Sequence, residues 1–167
     1  MQAPTEAESR PTRPGATVER RSDRELVVTR TINGPQRLVY EAWTRPDLFQ
    51  RWWVPKSFPI SLLSCELDVR VGGRYRLVYG SEGSTMEFFG RYLEVIPPSR
   101  LVWTNEEGEG ETITTVTFEE ADDGTRVVVA DLYPSKEALE AGSGSTDAMP
   151  EVLEQLEELV VSLAASA

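Results

Sequence analysis

Between residues 62 and 132 apolar side chains recur at every second position, and from Met149 to Leu163 they recur at every third or fourth. Period two belongs to half-buried strands and the three-to-four step to one face of a helix, so the chain reads as a sheet followed by one long helix. Six strands are expected, over Leu62–Arg70, Arg74–Tyr79, Thr85–Ile96, Arg100–Thr104, Thr112–Glu119 and Thr125–Leu132. Tight turn signals such as Gly72-Gly73, Pro97-Pro98-Ser99 and Asp122-Asp123-Gly124 separate them, which makes an antiparallel meander. In the last helix Met149, Val152, Leu153, Leu156, Leu159, Val160 and Leu163 form one stripe, with Glu151, Glu154, Glu157 and Glu158 opposite. Upstream, Leu26–Ile32 is β-branched and reads as a strand. Residues 35–44 carry Leu38, Val39, Ala42 and Trp43 at helical spacing, and Pro46 opens a second short helix ended by Pro55. Residues 1–24 hold three prolines and a single branched aliphatic, Val18, so they are expected to be a disordered tail ahead of one domain over 25–165.

Composition narrows the chemistry. The 167 residues include no histidine and one cysteine, Cys65. That excludes Ser-His-Asp and Cys-His catalysis, His-ligated zinc and an intrachain disulfide. Lys+Arg is 17 and Asp+Glu 28, a net −11, divided as +3 over residues 1–100 and −14 over 101–167. Such a surface repels phosphate backbones and anionic lipid, so no nucleic-acid partner and no membrane insertion are expected. No apolar run approaches the ~20 residues that span a bilayer, and no export signal precedes the domain, so a cytoplasmic setting is expected.

Several segments resemble the START-like (SRPBCC) superfamily. They are Val39-Tyr40-Glu41-Ala42-Trp43-Thr44, Trp52-Trp53-Val54-Pro55, Cys65-Glu66-Leu67-Asp68, Val71-Gly72-Gly73-Arg74-Tyr75, Gly90-Arg91-Tyr92-Leu93-Glu94-Val95, the run Pro97 to Thr104, and Gly124-Thr125-Arg126-Val127. The resemblance covers residues 25–163 and is closest to the branch named after the activator of the heat-shock chaperone ATPase, often merged with polyketide cyclases. It implies an α+β helix-grip fold, a curved antiparallel sheet wrapped around the long C-terminal helix, which agrees with the element order read from periodicity. Family members often run a short helix straight into a Gly-aromatic or Gly-Met start. Here Gly142-Ser143-Gly144-Ser145-Thr146-Asp147 intervenes, which suggests a mobile gate at a cavity mouth.

A curved sheet gripping one helix leaves space between them for a ligand. Its expected lining is Trp53, Tyr75, Leu77, Tyr79, Phe88, Trp103, Val129, Asp131, Met149 and Leu153, with no catalytic residue, metal or cofactor assigned. Adjacent tryptophans on a helix point about 100° apart, so Trp52 and Trp53 are expected to differ in burial. They either plug the small helices onto the sheet or place Trp53 at the cavity wall. Tyr75, Leu77 and Tyr79 share one strand face, the tyrosines being core or offering a hydroxyl to a ligand. Asp131 either faces inward with Val127 and Val129, partly desolvated, or lies solvated past the strand end. Met86 and Glu87 stay ambiguous, since a bulge near Phe88-Phe89-Gly90 swaps their faces. Glu106–Glu111 reads as a solvated loop, and Arg100 as one half of a surface ion pair.

With no nucleophile–base pair in view, the expected function is binding of a small hydrophobic or aromatic molecule. The alternatives are a cyclase- or aromatase-like enzyme, and an interaction module docking its acidic half on a chaperone. Exposed edge strands leave a homodimer open.

Overall fold

The computed structural model describes residues 9–13, 16–108, 110–142 and 144–166. Nine strands form one antiparallel sheet: β1 (Ser9–Arg13), β2 (Ala16–Arg20), β3 (Glu25–Ile32), β4 (Ser61–Leu67), β5 (Arg74–Ser81), β6 (Ser84–Ile96), β7 (Arg100–Asn105), β8 (Thr112–Ala121) and β9 (Gly124–Leu132). Their order across the sheet is β1-β2-β3-β9-β8-β7-β6-β5-β4, so β1 and β4 are its edges. The helices are α1 (Gln36–Thr44), α2 (Pro46–Phe49), α3 (Lys136–Gly142) and α4 (Gly144–Ser166).

Seven of the eight pairings join strands adjacent in sequence, and the five from β4 to β9 are the meander that period two made readable. The one long-range pairing, β3 on β9, joins Leu26 to Asp131 and Ile32 to Thr125. It needs a turn that presses against β3: Gly124 has φ +140°, and a Cβ there would lie 2.1 Å from the Ile32 carbonyl oxygen. Only glycine fits.

Part of the N-terminal stretch differs from the expected tail. Residues 9–13 and 16–20 are strands, and β2 pairs with β3 from Ala16↔Arg30 to Arg20↔Leu26. Backbone ladder bonds to the free edge of β3 hold this hairpin, and that source of stability leaves no hydrophobic period in the sequence. Ala16 is buried and Val18 packs on the core. Residues 1–8 lie outside the described residues.

The second difference concerns the long helix. Its buried stripe includes Met149, Val152, Leu153, Leu156, Leu159 and Val160, as the spacing predicts. Yet α4 lies chiefly over β1–β3 and α1. The inner face of β5–β8 is covered instead by α1, α2 and the rings they carry. The segment linking these helices to the sheet is tied to α4 by Gln155, which is buried. Its Nε2 donates to the Trp52 and Val54 carbonyls at 2.9 and 2.8 Å, and its Oε1 accepts from Lys56 N–H at 2.8 Å. The expected gate falls where α3 gives way to α4; residue 143 and the side chains of 144–147 lie outside the described residues.

Candidate functional site

The inner face carries a continuous aromatic cluster. Trp43 stands at its centre, with ring centroids 4.8 Å from Trp52, 5.8 Å from Trp53, 5.9 Å from Trp103 and 6.0 Å from Phe118. Most of these contacts are edge-to-face, the geometry the ring quadrupole favours. Phe49 stacks on Trp53 at 4.7 Å, Tyr75 meets Trp103 and Tyr92, and Tyr79 meets Phe88. The two adjacent tryptophans differ in burial as expected, but the second short helix ends at Phe49, not near Pro55, and both stand in the turn that follows it. Trp52 is fully buried and donates its Nε1–H to the Ala42 carbonyl at 2.9 Å. Trp53 is half-buried and donates to the Tyr79 hydroxyl at 2.6 Å.

A polar ladder crosses the same face. Tyr75 lies opposite Gly90 in the β5–β6 register. A Cβ on Gly90 would sit 1.9 Å from the Thr104 carbonyl oxygen, so the strand has no side chain there and the phenol passes over it to β7. Its hydroxyl has two acceptors, Thr104 O at 2.8 Å and Asn105 Oδ1 at 3.0 Å. The Asn105 amide donates to Thr112 O at 3.0 Å and Thr114 Oγ1 at 2.9 Å. The Thr114 hydroxyl donates to Asp131 Oδ1 at 2.6 Å. Four strands are thus joined by donors that all run toward one carboxylate. Burial drives the Tyr75, Tyr79 and Tyr92 hydroxyls far above the ordinary phenol range, so they stay neutral.

The ten expected lining residues fall on or beside this face. Tyr75, Leu77, Tyr79, Val129, Asp131, Met149 and Leu153 are buried, while Trp53, Phe88 and Trp103 are half-buried. Asp131 faces inward, not outward. The β6 bulge lies between Tyr92 and Glu94, beyond the expected place. Met86 therefore shares the inner face with Phe88, and Glu87 turns outward to Arg76. Arg100 pairs with Glu94 at 2.9 Å on the surface.

What the chain builds here is a packed interior with an open rim. Rings carried by α1, α2 and the turn after α2 pack against β5–β8. The concavities that stand out lie elsewhere. An open groove of about 1070 Å³ runs between the β3–α1 turn, the β8–β9 hairpin and Glu157, and a smaller one of about 220 Å³ lies between Arg51, Lys56 and the outer side of α4. Neither is lined by any of the ten residues. No group of three or more metal-ligating side chains occurs among the described residues.

Three participants, Asn105, Thr114 and Tyr40, were not singled out by the sequence, whereas Trp43 was. Asn105 falls one residue past the expected end of β7, although Thr114 was readable, sharing a face with Val116 and Phe118. Tyr40 and Trp43 on α1 are buried, and among the described residues the Tyr40 hydroxyl and the Trp43 Nε1–H have no partner. They sit one helical turn apart, and both rings touch Phe118. Desolvation raises the Tyr40 pKa, which keeps it a neutral donor.

One curved antiparallel sheet, short helices after its third strand and a long terminal helix define the helix-grip fold of START-like proteins. Two solved structures show the same architecture with 27% identity. A protein from Rhodobacter sphaeroides has a TM-score of 0.77, covering 90% of this chain and 98% of that one. A protein from Nitrosomonas europaea has a TM-score of 0.76, covering 86% and 98%. The AHSA1-like protein from Aeromonas hydrophila, 21% identical with a TM-score of 0.67 over 84% and 94%, shares the fold. The family model described as Activator of Hsp90 ATPase homolog 1-like protein matches residues 33–161, and the chain belongs to that family. Among curated proteins none matches. No helix among the described residues is long and apolar enough to cross a membrane.

Proposed function

We propose that this protein binds a small, mainly aromatic or apolar molecule on the inner face of the sheet, at the rim where Trp53, Phe88 and Trp103 are half-buried. The observation that carries this reading is the pair of buried donors on α1, Tyr40 and Trp43, left without acceptors inside a ring cluster. A buried donor without a partner costs about 1–3 kcal/mol, and native structures keep few of them. A ligand with one hydrogen-bond acceptor and an apolar body answers both needs. A thermal-shift screen of aromatic, polyketide and lipid ligands tests this. At 100 times Kd, binding raises stability by about 2.7 kcal/mol, and a flat screen would overturn the proposal.

The cyclase-like alternative draws on the ladder from Tyr75 to Asp131, a set of donors that can orient a reactive ligand. It requires turnover of a polyketide-type substrate that falls in Tyr75→Phe and Asp131→Asn variants. A chaperone-docking role has in its favour the family description and the net −14 of residues 101–167.

A further inference from the structure

We infer that the ligand of this rim carries a cationic nitrogen, received between the Glu107 carboxylate and the rings of Tyr79, Phe88 and Trp53. This rests on the binding reading above and names the class of molecule bound. The geometry begins where β7 leaves the sheet at Asn105. Glu106 N–H donates to Phe89 O at 2.9 Å, so the chain stays pinned to β6. Glu107 then folds back, its Oε1 accepting the Phe89 N–H at 3.3 Å beside Phe88. The charge of this carboxylate reaches the hydroxyls of both Tyr75 and Tyr79. Its side chain is exposed at the rim, yet partial loss of water on the side facing the rings raises its pKa, opposed by backbone N–H groups that donate to it.

The other carboxylates around it are engaged. Glu106 takes Arg91, Arg74 and the Thr104 hydroxyl; Glu111 takes Arg91; Glu66 and Glu87 take Arg76. Glu107 is different: among the described residues no guanidinium or ammonium lies within ion-pair distance of it. Arg74 and Arg76 of β5 alternate with Tyr75 and Leu77 and so point to the outer face, and Arg91 of β6 is taken by Glu106 and Glu111. The rim therefore presents ring surfaces and one uncompensated negative charge. Met86, opposite Tyr79 and 50% exposed, extends the apolar surface. An anionic ligand meets repulsion there, and a neutral one leaves the partly dehydrated carboxylate unchanged. A cation compensates that charge and gains the quadrupole of the rings as well. A protein of net −11 also steers cations toward it.

Three probes sharing one ring system test this by isothermal titration of the whole chain: 2-(1-naphthyl)ethylammonium, 2-(1-naphthyl)ethanol and 1-naphthylacetate. The ammonium is expected to bind at least about tenfold tighter than the alcohol, and the carboxylate weakest. Glu107→Gln is expected to bring the ammonium down to the alcohol while the alcohol is unchanged. If the alcohol binds the unaltered protein as tightly as the ammonium, or if Glu107→Gln leaves their ratio intact, this inference is overturned while the apolar-ligand reading stands. Binding of none of the three overturns both.

Discussion

Replacing Thr114 by valine removes one hydroxyl from the middle of the polar ladder and nearly preserves its shape. Thr114 is buried, donates to the Asp131 carboxylate at 2.6 Å and accepts from the Asn105 amide at 2.9 Å. A hydrogen bond to a charged group contributes about 1.5–3 kcal/mol, and the stranded Asn105 donor adds about 1 more. Because Asn105 keeps Thr112 O, and Asp131 has other interactions, the total is expected near 2–4 kcal/mol. For a domain of this size one kcal/mol moves Tm by roughly 2–4 °C, so the melt should fall by about 5–15 °C. Urea unfolding followed by tryptophan fluorescence gives the free energy directly. Adding Asp131→Asn closes a double-mutant cycle, and the ladder predicts a coupling of about 1.5–3 kcal/mol between the two positions. A loss below about 0.5 kcal/mol, or strict additivity of the two substitutions, would refute the argument.

Gln155→Met keeps the apolar stem but drops three hydrogen bonds to Trp52, Val54 and Lys56, and is expected to lower stability by about 2–4 kcal/mol in urea unfolding. A loss under 1 kcal/mol would show that α4 is held to this segment by apolar contacts alone. The Cys65 thiol is pushed up to about 11 by burial and the neighbouring Glu66 carboxylate. At pH 8 its alkylation should run about 100-fold slower than an ordinary thiol's, with a midpoint near pH 11. A midpoint near 9 contradicts this. Glu107 has a raised folded-state pKa, so its ionised form disfavours folding, and stability falls as pH rises from the unfolded glutamate pKa through the folded one. Glu107→Gln is thus expected to stabilise the protein at pH 7 and to lose that advantage below about pH 4. An equal effect at both pH values would argue against burial as its cause.

Much of the sheet was readable because its strands pair with neighbours in sequence, and alternation within each strand fixes which side chains face inward. Tyr75, Leu77, Tyr79, Val129 and Asp131 all follow that rule. Trp52 and Trp53 differ in burial as expected, although a turn and not a helix separates them. What escaped depends on partners distant in sequence. The β1–β2 hairpin is held by backbone bonds to β3, and backbone bonds leave no pattern of side chains. The position of α4 over β1–β3 follows from the volume of the α1 and α2 rings, which claim the other half of the inner face. Periodicity marks Trp43 as buried but says nothing of which rings, distant in sequence, gather around it. Glu107 looked like one of several solvated acids; only the pairing of Glu106 and Glu111 with arginine sets it apart.

The four indole N–H groups offer the most direct test that the inner aromatic rim is a receptor surface. Their proton–nitrogen resonances can be followed as 2-(1-naphthyl)ethylammonium is added. The Trp53 signal is expected to move, since this indole stands at the rim beside Tyr79, while Trp52, bonded to Ala42 O, stays in place. Shifts confined to residues 31–36 and 120–124 around the large groove, with all four indoles unmoved, would contradict it.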